Sequence, residues 1–149
     1  MRVRIRDATF DDLAALEVVF RRSSLSNAGD RENLLAHPEV LELSDAAVNA
    51  GRTRVAISEG RIVGFSTAVD GDGVVELDAL FVDPECIRRG VGLALVRDVV
   101  ATARDLGSRR VDVTANEHAR AFYENAGFVD DGIAQTRFGP APRMYLDIA

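Results

Sequence analysis

Apolar and polar positions alternate at the start of the chain, Val3-Arg4-Ile5-Arg6, which predicts a strand with one apolar face. The period then changes. Leu13, Leu16 and Phe20, with Val19 beside Leu16, share a helical face; Thr9 is suited to cap that helix, and Asp11-Asp12 complement the positive end of its dipole. Arg21 to Asn33 is polar, and Leu34, Leu35, Val40, Leu41 and Leu43 predict a second helical region broken near His37-Pro38, with His37 a surface residue. From Arg54 strands return: Val55-Ala56-Ile57 and Ile62 to Val69 turn at Glu59-Gly60. Asp70-Gly71-Asp72-Gly73 then leads into a third run, Val74 to Val82, apolar on both faces apart from Glu76 and Asp78, as expected of a central strand.

A helix is predicted from about Gly90 to Leu106 by the spacing of Leu95 or Val96, Val99, Ala103 and Leu106, with Gly107 as its stop. Arg110 to Thr114 reads as a short strand, followed by Asn116 as the cap of a helix whose stripe is Ala119, Phe122, Tyr123 and Ala126. Two closing strands, near Val129 to Arg137 and Arg143 to Ile148, are expected to be joined by Gly139-Pro140-Ala141-Pro142.

Candidate chemistry starts at the loop Pro84-Glu85-Cys86-Ile87-Arg88-Arg89-Gly90-Val91-Gly92. A pair of glycines costs a helix about 1 kcal/mol each, so Gly90 and Gly92 in an opening turn call for a reason. Close approach supplies one: without Cβ atoms a ligand reaches the free N–H groups at the positive helix end. Arg88 and Arg89 add positive charge beside them, and the loop reads as a phosphate holder or a packing turn.

Length and charge narrow the classes. A chain of 149 residues suits one domain, 1–149, and its 47% apolar and 28% charged composition is that of an ordinary globular protein. The net charge of −6 argues against a nucleic-acid surface. No apolar run approaches the ~20 residues of a membrane helix, the amino terminus lacks a signal-peptide core, and the cytoplasm is the expected compartment. Cys86, the single cysteine, forms no internal disulfide and reads as filler rather than a nucleophile. Asp70 and Asp72 lack the calcium-loop pattern, and no metal site is predicted.

The segment Asn116-Glu117-His118-Ala119-Arg120-Ala121-Phe122-Tyr123-Glu124-Asn125-Ala126-Gly127-Phe128, taken with the acidic strand and the Arg-Gly-x-Gly loop, resembles the GNAT superfamily of acyl-CoA-dependent N-acetyltransferases. The landmarks cover Val74 to Phe128. The resemblance implies an α/β fold with a mixed, mostly antiparallel sheet, a splayed central strand pair and flanking helices. It also implies acetyl-CoA as co-substrate, held by Arg88, Arg89, Gly90, Val91, Gly92 and Asn116. Ile87 stands where the family loop usually has Gln or Arg, which removes one side-chain contact.

Amide formation from a thioester needs a base for the acceptor amine, and Glu76 is the first candidate because its distance before Gly90 resembles that of a family glutamate. Asp78 is the second; the two lie about 7 Å apart on one strand face, near enough to repel and to titrate together. Tyr123 resembles the family's general acid, returning a proton to the sulfur, a role the surrounding motif favours over plain core with a satisfied hydroxyl. A backbone N–H near Phe81 or Val82 would meet the oxyanion. The expected activity is direct acetyl transfer to a primary amine of a small molecule or peptide, with a homodimer common among similar proteins. Alternatives are a non-catalytic acyl-CoA-binding or sensory module of the same fold and a dinucleotide-binding domain.

Overall fold

A computed structural model of the chain describes residues 2–26, 31–32, 35–36, 45–137 and 139–149. Most of the expected second helical region, His37 included, lies outside the described residues. The strands are β1 Arg4–Asp7, β2 Thr53–Ser58, β3 Arg61–Asp70, β4 Val74–Val82, β5 Arg110–Thr114, β6 Val129–Thr136 and β7 Gly139–Asp147. The helices are α1 Leu13–Leu25, α2 Ala46–Asn49, α3 Val91–Asp105 and α4 Arg120–Asn125. The strands hydrogen-bond in the order β1-β2-β3-β4-β5-β7-β6. This is the mixed, mostly antiparallel sheet with helices expected from the sequence. Contacts divide the chain into two compact units, Met1–Thr67 with Ala79–Leu95, and Ala68–Asp78 with Val96–Ala149.

In the first unit, β1 pairs antiparallel with β2 and β2 with β3. The β2–β3 turn places Glu59 and Gly60 at φ 52° and 76°, the two positive values of a type I′ hairpin. Leu16 and Val19 of α1 pack with Val48, Val55 and Phe65, and Leu13, Phe20, Ala79 and Phe81 close around them. A second cluster joins Ala56, Val63, Cys86, Val91 and Leu95, with Leu80 and Val82 against it. Successive residues of the β4 end thus serve opposite clusters, as strand alternation requires. Phe81 is gripped by Phe20 and Phe65, at ring-centroid distances of 4.9 and 5.4 Å. Gly64 is required for close approach: a Cβ there would come within 3.0 Å of the Phe81 carbonyl oxygen and Val91 Cγ1. The α1 start differs from expectation, because Phe10–Asp12 forms a 3₁₀ turn first and Asp12 reaches back to accept from Thr9 N at 2.7 Å.

In the second unit, β4 pairs in parallel with β5 from Val74↔Arg110 to Leu77↔Val113, and β5 pairs antiparallel with β7. Val75, Leu77, Val99, Ala103, Val111, Val113, Phe128 and Met144 are buried. The helix α3 ends as expected: Gly107 takes φ 77° and Ser108 N donates to the Ala103 carbonyl at 2.9 Å. The residues Gly139 to Pro142 are not a connection but the first part of β7, paired with β6 from Thr136↔Gly139 to Ile133↔Pro142. Prolines fit here because Pro142 faces the β5 side, where its carbonyl takes Ala115 N at 2.9 Å and no ladder needs a donor from Pro140 or Pro142.

Candidate active site

The first unit carries the loop residues. After β4, Asp83 is buried, and its Oδ1 accepts from Glu85 N at 3.0 Å while Oδ2 lies 3.3 Å from Arg22 Nη1 and 3.5 Å from Arg61 Nη1. Two arginines compensate a carboxylate that would otherwise be costly to bury, and the capped 3₁₀ turn Pro84–Cys86 is thereby fixed. Cys86 is buried core, with Arg61 Nη2 3.8 Å from its sulfur. Beyond it the side chains of Ile87, Arg88 and Arg89 turn outward; Ile87 is 51% exposed.

Arg88 and Gly90 both have positive φ, 67° and 85°. Alternating left-handed residues point successive N–H groups into one concavity, the arrangement that suits an oxyanion. Gly90 is therefore not inside the opening turn, as the sequence reading had it: α3 starts at Val91, and Gly90 is the left-handed residue that delivers the chain to it. Its carbonyl accepts from Ala94 N at 3.0 Å, while the opening N–H groups of α3 have no intrahelical partner. Phe81 and Val82 sit at the end of β4.

Glu76, Asp78, Asn116 and Tyr123 belong to the second unit. Arg143 Nη1 is 2.6 Å from Glu76 Oε1 and Nη2 is 3.3 Å from Oε2, a bidentate ion pair. Arg143 also donates to Thr114 Oγ1 at 2.9 Å and to buried Asp112 Oδ2 at 3.3 Å, and Arg110 meets Asp112 from the other side at 2.7 Å. The hydrogen bonds that Arg143 donates to Glu76, aided by the charges of Glu76, Asp112 and Asp131 and opposed by the cost of burial, raise the Arg143 guanidinium above its ordinary value. The repulsion expected between Glu76 and Asp78 is thus answered by a cation that spacing along β4 did not reveal. The register supplies it: Glu76 lies opposite Asp112, and Thr114 opposite Arg143.

Asp78, two residues on, is exposed and forms no salt bridge among the described residues. Tyr123 is buried, with Phe122 and Phe128 edge-on at 5.1 and 5.3 Å. Burial pushes the phenol well above its usual range, so it stays protonated at neutral pH. Asn116 occupies the cap position of the 3₁₀ turn Glu117–Ala119, but its exposed side chain makes no capping hydrogen bond, contrary to the expected role, and α4 begins only at Arg120. Arg143 and Asp112 are site neighbours that sequence reasoning missed. The signal for Asp112 was a lone carboxylate inside the apolar run of β5; for Arg143 there was none short of the register.

Among the described residues no helix is long and apolar enough to cross a membrane. Residues 18–128 match the Acetyltransferase (GNAT) family, a stretch that draws on both units. An uncharacterized N-acetyltransferase of Mycobacterium tuberculosis is 38% identical over 85 residues, 54% of this chain and 54% of that protein. Serotonin N-acetyltransferase 2, chloroplastic, of Oryza sativa subsp. japonica is 32% identical over 130 residues, 85% of this chain and 60% of that protein. The chain spans about half the length of the first of these relatives. Among solved structures, the PaiA N-acetyltransferase from Thermoplasma acidophilum in complex with coenzyme A has the same fold, with a TM-score of 0.79 at 17% identity over 99% of each chain. With about three quarters of its length matched to one family model, the chain belongs to the acetyltransferase (GNAT) family.

Proposed function

We propose that the protein is an N-acetyltransferase that moves acetyl from acetyl-CoA to a primary amine by direct attack, without a covalent enzyme intermediate. The observation that carries this reading is the loop that delivers the chain to α3, where Arg88 and Gly90 take φ 67° and 85° just ahead of the helix start at Val91. Such a loop turns successive N–H groups into one concavity at the positive end of a helix, which suits the diphosphate of an acyl-CoA.

Arg88, Gly90, Val91 and Gly92 hold the diphosphate through backbone N–H groups, with Arg88 and Arg89 as counter-charge. Asn116, whose side chain makes no capping hydrogen bond, contacts the cofactor. Asp78 takes the proton of the acceptor ammonium, directly or through water, since it is exposed and forms no salt bridge among the described residues, whereas both Glu76 oxygens accept from Arg143. The freed amine attacks the thioester carbonyl, and the N–H of Phe81 or Val82 stabilises the oxyanion. As the carbon–sulfur bond breaks, Tyr123 gives its proton to the departing thiolate and regains one, directly or through water, from the nitrogen, which became cationic on attack and ends as a neutral amide. The acceptor is a small-molecule or peptide amine, and a lone reduced cysteine suits a reducing compartment such as the cytoplasm.

An acetyl-CoA-dependent thiol-release screen over an amine panel tests the reading. One or more amines should release thiol, and Tyr123→Phe should lower kcat about 10²-fold while coenzyme A binding by calorimetry is unchanged. Coenzyme A binding with no turnover on any amine would leave a non-catalytic acyl-CoA-binding module instead.

A further inference from the structure

A groove of about 1040 Å³ opens in the first unit, with Arg2, Arg4 and Arg89 on its walls, Glu59 beside them and Val3 and Ile57 as its apolar part. Topology explains the gathering. Antiparallel pairing puts Arg4 opposite Ile57, so the start of β1 lies next to the β2–β3 turn, and Arg89 arrives from the loop after β4. Arg6, Arg22, Arg54 and Arg61 of the same unit each hold a carboxylate. Among the described residues Arg2, Arg4 and Arg89 hold none. In a chain of net charge −6, three unpaired guanidinium groups facing one glutamate are a local excess of positive charge kept against mutual repulsion.

An anion relieves that repulsion. A single carboxylate offers one charge, while a phosphate monoester offers nearly two and three oxygens, matching several guanidinium forks at once. We propose that this groove is a phosphate-monoester site and that its occupant is the 3′-phosphate of coenzyme A. The second part rests on the acyl-CoA reading above: Arg89 borders both the groove and the loop assigned to the diphosphate, and coenzyme A carries a diphosphate and a monoester on one ribose. Arg2 and Arg4 hold the monoester from β1, and Arg89 bridges the two phosphate groups.

The test is calorimetric titration of the full chain with coenzyme A and with 3′-dephospho-coenzyme A, for the unmodified protein and for an Arg2→Gln, Arg4→Gln double variant. Both positions are exposed, so the variant should fold. The unmodified protein should bind coenzyme A about tenfold more tightly than its dephospho form, and the variant should bind the two about equally. An unchanged preference in the variant, or none in the unmodified protein, overturns the assignment to coenzyme A. Inorganic phosphate is the independent arm. It should raise the melting temperature of the unmodified protein and not of the variant, and equal shifts in both would overturn the groove as a phosphate site even if neither cofactor bound. Failure of both cofactors to bind, with the phosphate arm intact, counts against the acetyltransferase reading and assigns the groove to a separate phosphorylated ligand.

Discussion

Replacing Glu76 and Asp78 in turn separates a structural carboxylate from a catalytic one. In Glu76→Gln the charge facing Arg143 disappears. A buried pair broken on one side costs about 3–5 kcal/mol, and an exposed one about 0.2–1 kcal/mol. The Arg143 and Glu76 side chains are 26% and 37% exposed, between those limits, and Arg143 keeps Asp112 at 3.3 Å. A loss of about 1–2 kcal/mol is therefore expected, a fall of about 3–6 °C in melting temperature for a chain of this size. Arg143→Met should cost a similar amount, and a double-mutant cycle between the two should return a coupling of about 1 kcal/mol. Asp78→Asn touches no ion pair and should leave stability within about 0.5 kcal/mol while lowering kcat by about 10²-fold or more. Thermal melts and steady-state kinetics on the unmodified protein and the four variants suffice. The reverse pattern, in which Glu76→Gln abolishes turnover at full stability and Asp78→Asn is nearly silent, would refute the assignment of the base.

The Asp12 carboxyl is held down to about 2 chiefly by the Arg6 hydrogen bonds at 2.8 and 3.1 Å, against the cost of burial, with Thr9 N adding to the effect. A depressed acid contributes stability that is complete above its unfolded pKa of about 3.9 and is lost as pH falls toward the folded value. With Arg6 40% exposed, the contribution is about 1 kcal/mol; acid unfolding between about pH 4 and 2 should flatten by that amount in Asp12→Asn, and an identical acid limb would count against the pair. Gly64→Ala sets a Cβ 3.0 Å from the Phe81 carbonyl oxygen and Val91 Cγ1 and should destabilise by about 1–3 kcal/mol in urea, whereas a neutral result would mean that the neighbours yield. Gly90 has open space around its Cβ position but φ 85°, so Gly90→Ala should cost about 1 kcal/mol from backbone strain alone and weaken coenzyme A binding, and unchanged affinity would argue against the loop as the diphosphate holder.

Periodicity and punctuation determined much of this protein. The alternation in β1, the stripe of Leu13, Leu16 and Phe20, the Glu59-Gly60 turn and the Gly107 stop are local features, set by residues a few positions apart. The loop motif was legible for the same reason, since glycine and arginine placement is a property of a short stretch. What needed the fold was every feature that depends on register between distant segments. Glu76 and Arg143 are 67 positions apart, and only the β4–β5–β7 pairing brings them to 2.6 Å. Likewise Pro140 and Pro142 look like a connection to any local reading, yet lie in β7 because their missing donors face the β5 side beyond its last ladder pair, Thr114↔Arg143. The groove with Arg2, Arg4 and Arg89 joins the start of the sequence to its middle, a separation no local window spans. Local chemistry sets which elements form; hydrogen-bond register decides which charges meet, because a strand presents each side chain to whatever pairing places opposite it.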